Sequence, residues 1–201
     1  MAGGKTVAAE RGAWLCFEDE AGQALRPPKA RTWGRRGRTP VIPVSGKGSG
    51  RVSVAGLVCV RPGDRSRLIY RVLVHRGRKG ERRSFAETDY AALLDAAHQQ
   101  LGGSITVIWD NLNTHVSAAM RALIASRDWL RVIRLPAYAP DLNPVESVWS
   151  HLKRSLGNLA VQGIDDLAAI VKNRLKRIQY RPELTDAFFT QTGLTLDPAP
   201  P

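Results

Sequence analysis

Ile105-Thr106-Val107-Ile108-Trp109 is a nearly unbroken apolar run that empties into Asp110-Asn111. A strand with one wet face alternates apolar and polar residues; a run without alternation fits a strand buried on both faces, as in parallel or mixed sheets. The segments on either side have helical period. Upstream, Phe85, Tyr90, Leu93, Leu94, Ala97 and Leu101 fall on one face, Ser84 and Glu87 have capping-box spacing, and Gly102-Gly103 ends the helix. Downstream, Val116, Met120, Leu123 and Ile124 predict a helix over Thr114–Arg127, and Arg131–Leu135 reads as a further strand. A turn-rich stretch, Pro136–Asn143, leads into a helix for which Asn143 is a favoured N-cap and Pro144 a favoured first residue. Val145, Val148, Trp149, Leu152 and Leu156 form its apolar face, and a last helix spans Ile164–Gln179.

Ahead of these lie three strand-like runs, Ala13–Phe17, Arg51–Val60 and Arg67–His75, the last two joined by the turn Arg61-Pro62-Gly63-Asp64. The first ends in Glu18-Asp19-Glu20. A long Pro- and Gly-rich connection, Arg26–Gly50, with a short strand at Val41–Val44, links it to the second. The order predicts an α/β domain: a five-stranded mixed sheet, three antiparallel strands then strand–helix alternation, flanked by helices. It suits a ribonuclease-H-like fold. The organisation expected is an N-terminal extension over 1–12, the domain over 13–181, and a partly disordered C-terminal tail over 182–201.

The 201 residues suffice for one domain with a real core, and a hydrophobic content of 43% excludes wholesale disorder. No apolar run approaches the ~20 residues of a membrane span, and Met1–Glu10 lacks a signal-peptide core. No membrane partner is expected, and a cytoplasmic, nucleoid-associated location is. Cys16 and Cys59 read as reduced core residues, since one pair makes neither a disulfide scaffold nor a four-ligand zinc site.

The net charge is +12, with 23 Arg against 7 Lys, and no acidic residue lies between Ala21 and Gly63. Arg is the better bidentate partner for phosphate, so a polyanion, nucleic acid first, is the expected partner. Trp33, among Arg31, Arg35 and Arg36, could stack on a base or pack over the sheet edge; packing is slightly favoured. Gly46-Lys47-Gly48-Ser49-Gly50 lacks the full phosphate-loop spacing and reads as a flexible hairpin loop.

Chemistry is suggested by carboxylates at strand ends: Asp19 closing the first strand, Asp110 the fourth, and Glu146 in the first turn of the helix at Pro144. Ligands of open sheets gather beyond the carboxyl ends of strands, and oxygen donors suit hard divalent cations. Two such ions ~3.5–4 Å apart activate an attacking oxygen and stabilise a leaving one in phosphodiester chemistry. Taken singly, each acid has a structural explanation: Glu146 as a capping-box member, Asp110 as a turn residue, Glu18-Asp19-Glu20 as a solvated strand end.

The context of these acids adds to that reading. Leu135-Pro136-Ala137-Tyr138-Ala139-Pro140-Asp141-Leu142-Asn143-Pro144-Val145-Glu146, followed by Trp149, Leu152 and Lys153, resembles the signature of mariner-like DDE transposases, more closely their bacterial insertion-sequence branch. Trp109-Asp110-Asn111 with His115 resembles the second motif of that family, and Phe17-Glu18-Asp19-Glu20 the first. The resemblance implies a ribonuclease-H-like DDE catalytic domain whose Asp19, Asp110 and Glu146 are catalytic and bind two Mg2+ ions, with Mn2+ able to substitute. It implies hydrolysis at transposon ends, strand transfer into target DNA, and a homodimer on DNA. Glu18, Glu20 and Asp141 are the neighbouring decoys. Arg35, Arg36, Arg38, His115 and Lys153 are the expected DNA contacts, with His115 alternatively orienting Asp110. Related transposases carry a helix-turn-helix ahead of this domain; about a dozen residues upstream leave no room for one, so the expectation is a portion encoded separately and joined by frameshifting, one acting as a separate polypeptide, or one that has been lost. The alternatives are a non-catalytic DNA-binding remnant and a ribonuclease-H-like structure-specific nuclease.

Overall fold

The computed structural model describes residues 12–41, 50–136 and 140–196. Five strands form one sheet in the order β3-β2-β1-β4-β5: β1 Trp14–Ala24, β2 Arg51–Val60, β3 Arg67–His75, β4 Ile105–Trp109 and β5 Leu130–Arg134. β1, β2 and β3 are antiparallel, whereas β4 runs parallel to both β1 and β5. All of β4 is buried, as its unbroken apolar run requires. β1 pairs with β2 from Leu15 opposite Val60 to Ala24 opposite Arg51, but with β4 only from Trp14 to Phe17. Its second half therefore projects past the end of β4, with one flank unpaired in the sheet.

Helices cover both faces. The side chains of Trp14, Cys16, Ala55, Leu57 and Cys59 point to a layer built with α1 (Glu87–Leu101) and Met120 of α3 (Ala118–Ala125). Those of Leu15, Phe17, Val52, Val54, Val58 and Val60 meet α4 (Pro144–Ser155), α5 (Ile164–Gln179) and α6 (Pro182–Gln191). Cys16 and Cys59 are cross-strand partners, both buried and free, and burial pushes the Cys16 thiol up, away from the reactive thiolate. Among the described residues no helix is long and apolar enough to cross a membrane.

Several local expectations are corrected. β1 does not stop at Phe17, because its pairing with β2 carries it on to Ala24, so Asp19 lies inside the strand. α1 is capped from Ala86 rather than Ser84: the Asp89 carboxylate accepts the Ala86 N–H at 3.0 Å and is paired with Arg82. The helix expected over Thr114–Arg127 is two, α2 (Asn113–Val116) and α3, broken where Ser117 turns extended and its hydroxyl caps Met120 N–H. The segment read as a tail carries α6, whose Phe188 and Phe189 are buried in the main core, so residues 182–191 are part of the domain. Burial of two such rings stabilises by roughly 1.5–3 kcal/mol each. Apart from Val41, which is exposed and outside any strand, the short strand expected at Val41–Val44, nearly all of the Gly46–Gly50 loop, and the Asp197–Pro201 end lie outside the described residues.

Candidate active site

Asp19 sits on the projecting half of β1, on the face covered by α4. Its cross-strand partner is Gly56, where a Cβ would meet Trp149 Cη2 at 2.8 Å. Only glycine lets the Trp149 indole lie directly against β2 there, and the buried ring forms an apolar wall beside Asp19. Glu18 and Glu20, on alternate positions, point to the opposite face.

Glu146 comes from α4, and a single residue fixes where α4 begins. Asn143 Oδ1 accepts the Val145 N–H at 3.1 Å, and Asn143 Nδ2 donates to the Glu18 carbonyl at 2.8 Å, both in buried surroundings. One side chain thus caps the helix and ties it to β1 at the peptide that precedes Asp19. Pro144 supplies the first helical residue, and Glu146 follows at the third position, exposed at the mouth of a groove lined also by Asp141, Ser147 and Gln191. Ser147 donates to Gln191 of α6 at 3.3 Å, so the segment expected as a tail walls this groove.

Asp110 follows β4 directly. Its Oδ1 accepts the Leu112 N–H at 2.9 Å and faces His115 Nδ1 at 2.9 Å. The His115 hydrogen bond holds Asp110 below its ordinary range, with the Leu112 N–H acting in the same direction. Nearby, Asn111 Nδ2 donates to the Leu135 carbonyl and the Leu135 N–H to the Trp109 carbonyl, fastening β5 to this corner.

The three carboxylates feel one another. Asp19 is raised to about 7, first by burial, then by repulsion from Glu146 and from Asp110. The Glu20 N–H and the nearby Trp149 indole pull it the other way, but the indole makes no well-formed hydrogen bond to it: Trp149 Nε1 and Asp19 Oδ2 are both buried without a hydrogen-bond partner. No Lys or Arg side chain stands at ion-pair distance from Asp19, Asp110 or Glu146 among the described residues. An orphaned buried oxygen amid mutually repelling carboxylates, with oxygen-only donors, fits a hard divalent cation. As oriented, no three His, Cys, Asp or Glu side chains of the described residues enclose an ion, so the arrangement is an open carboxylate face rather than a closed cage.

Of the expected DNA contacts, Arg35, Arg36 and Arg38 are exposed on an arm between β1 and β2. Trp33, on the same arm, is 99% exposed, which overturns the packing favoured from sequence. The arm is latched behind α4: Asn158, with φ 55°, holds Ala30 by both its N–H and carbonyl, and its own N–H donates to the Pro28 carbonyl. Lys153 is exposed on α4. His115 is 3% exposed and its Nδ1 faces Asp110, the arrangement of the orienting role expected as its alternative. Sequence reading missed the buried carboxyl of Glu18, treated as a decoy, and the second bond of Asn143; strand alternation signals the first, but nothing local to the sequence signals the second.

A family profile described as DDE superfamily endonuclease matches residues 14–168. The Tc1 transposase of Caenorhabditis elegans is 30% identical over 82 residues, which are 41% of this chain and 30% of that protein. Among solved structures, the Mos1 transposase paired-end complex with left transposon end superposes with a TM-score of 0.58 at 15% identity, covering 91% of this chain and 56% of that one. The catalytic domain of Mos1 mariner transposase gives 0.51 at 15% identity, covering 91% and 84%. Mos1 complexes solved with Mg and with Mn give 0.59 and 0.57. The fold is thus the ribonuclease-H-like one of the Mos1 catalytic domain, and the chain spans less than two thirds of Tc1 transposase and of the Mos1 chain in the paired-end complex.

Asp19 titrates near 7 in the fold and near 4 in an unfolded chain. Between those values the folded state holds the extra proton, so the metal-free protein loses stability as pH rises from about 4 to 7. Asp19→Asn, which cannot ionise, is expected to gain about 2–4 kcal/mol over wild type at pH 8 relative to pH 4. Chemical denaturation of both proteins in chelator, and again with Mg2+, measures the gain and its shrinkage when the cation binds.

Proposed function

The chain belongs to the DDE superfamily endonucleases, and on that premise we propose that it is the catalytic domain of a DNA transposase, cleaving phosphodiester bonds at transposon ends and joining the freed 3′ end to target DNA. The observation that carries the reading is the uncompensated Asp19 carboxyl, raised by burial and by the Glu146 and Asp110 charges around it. Asp19 and Asp110 would hold divalent cations from the sheet, and Glu146 from the first turn of α4. Bound there, two Mg2+ ions would activate the attacking oxygen and stabilise the leaving one, Mn2+ being able to replace them. The chain's own part is to keep the three carboxylates apart from any competing cationic side chain and to shield one flank with the Trp149 wall. His115 fixes the rotamer of Asp110, and Asn143 sets α4 so that Glu146 opens into the groove.

The likeness to Mos1 bound to a transposon end supports DNA as the substrate. The exposed Arg35, Arg36 and Arg38, with Lys153, would grip the phosphate backbone without reading sequence. Base reading would fall to a helix-turn-helix portion, and the working unit would be a homodimer on DNA.

A nicking assay on labelled transposon-end DNA, with Mg2+ present or chelated, tests the reading. Wild-type protein is expected to nick only with the cation, and Asp19→Asn, Asp110→Asn and Glu146→Gln each to lose roughly a hundredfold or more in rate. Binding without metal-dependent nicking would make the chain a DNA-binding remnant instead. DNA affinity is also expected to fall steeply with salt, and neutralising Arg35, Arg36 and Arg38 together to flatten that slope by about three ion equivalents. An unchanged slope would place the arm away from the DNA.

A further inference from the structure

Glu18 is the most deeply buried acid of the described chain, at 1% exposure, with neither carboxyl oxygen hydrogen-bonded. It lies on the opposite face of β1 from Asp19, in the layer formed by Cys16, Trp109, Tyr90 and Met120. A carboxyl in such surroundings carries a heavy desolvation penalty, and a fold has no reason to keep one that does nothing. Among the described residues its ion-pair neighbour is His115, whose Nε2 stands 3.4 Å from Glu18 Oε2, while the charges of Asp19, Glu20 and Asp110 also act on it. The other ring nitrogen of His115, Nδ1, stands 2.9 Å from Asp110 Oδ1.

The His115 ring is held on every side. It stacks on Trp109 with centroids 4.3 Å apart and planes 5° from parallel, and the Tyr90 ring meets it edge-on at 4.7 Å. Stacking alone, however, leaves the ring free to turn over in its own plane, which would present carbon instead of Nδ1 to Asp110. With Glu18 on the far side, that flip forfeits two polar contacts rather than one. The restraint matters because His115 rides on α2, a helix of four residues, which is too short to fix a side chain by itself.

We propose that Glu18 and His115 are a pair of positioning residues: Glu18 sets the face of the His115 ring, and the ring sets the carboxylate of Asp110 for metal binding. The pair links β1 and β4 from beneath, so the two aspartates of the site are oriented by one chain of contacts, Asp110–His115–Glu18, whose last member is the residue before Asp19. The proposal rests on the reading of Asp110 as a metal ligand. A carboxylate ligand is commonly held by a partner behind it, and loss of that partner typically weakens metal affinity 10–100-fold.

The test is a titration of the 201-residue chain with Mn2+ alone, free ion being read by electron paramagnetic resonance, beside thermal melts. Glu18→Leu is expected to keep or raise the melting temperature, since an apolar isostere suits that layer, yet to weaken Mn2+ binding about 10–100-fold. Glu18→Gln, whose amide N–H can donate to His115 Nε2, is expected to recover most of the affinity. His115→Ala should lose as much as Glu18→Leu, and the double variant no more than His115→Ala, because the two act in series. Wild-type affinity in Glu18→Leu, or losses that add in the double variant, would overturn the pair. If Glu18→Leu fails to fold, His115→Asn carries the test: it keeps an N–H toward Asp110 and gives up the contact with Glu18. An intermediate loss there supports the pair, and wild-type affinity overturns it. Asp110→Asn separates the two claims: Mn2+ affinity lost in Asp110→Asn but kept in Glu18→Leu removes only the positioning role, whereas affinity kept in Asp110→Asn removes the metal reading and the pair with it.

Discussion

The side chain of Asn143 makes two hydrogen bonds, and the geometry of the site hangs on both. Its oxygen caps α4 at Val145, and its amide reaches across to the Glu18 carbonyl of β1. Each bond stabilises by only about 1 kcal/mol, yet together they lock the helix start to the strand at the peptide before Asp19. Everything that follows along α4 inherits that placement: Glu146 at its third position, the Trp149 ring against Gly56, and, at the far end, the Asn158 latch that holds the basic arm. Helix α4 therefore acts as a rigid ruler between a carboxylate site and a cationic surface.

That ruler holds groups in an arrangement unfavourable on its own. Asp19, Asp110 and Glu146 repel, and in a chain of net charge +12 no Lys or Arg side chain of the described residues pairs with them. Arginines are placed instead where they pair with other acids, as Arg127 does with Asp95 and Arg82 with Asp89, or on the exposed arm. Destabilisation confined to a functional cluster and carried by a large apolar core is the usual signature of a site awaiting a ligand of opposite charge. The core supplies the margin: both faces of the sheet are closed, one by α1 and α3, the other by α4, α5 and α6.

The sheet and its order were legible because periodicity reports burial, and β4 is buried on both faces as its composition demands. Asp110 and Glu146 were placed correctly relative to their elements, since a strand end and a helix first turn are local features. Asp19 was assigned to a strand end but lies within β1, because strand length was set by pairing with β2, a non-local contact. The break at Ser117 and the burial of α6 also depend on what the chain meets after folding. Glu18 was dismissed among three adjacent acids; only the pleat, which turns it away from Asp19 and toward His115, separates them. Trp33 was misjudged because nothing in the sequence says whether a tryptophan on a basic arm has a surface to rest on.

On the proposed function, Asp19 carries an electrostatic load that a divalent cation would relieve. Carbon-13 NMR of the Asp19 side-chain carboxyl, followed through a pH titration with and without Mg2+, reads this directly. In chelator the midpoint is expected at about 7, and saturating Mg2+ is expected to move it well down, into or below the ordinary carboxylate range near 4. A midpoint near 4 in chelator, unmoved by Mg2+, would contradict the claim and leave the three carboxylates as unrelated surface acids.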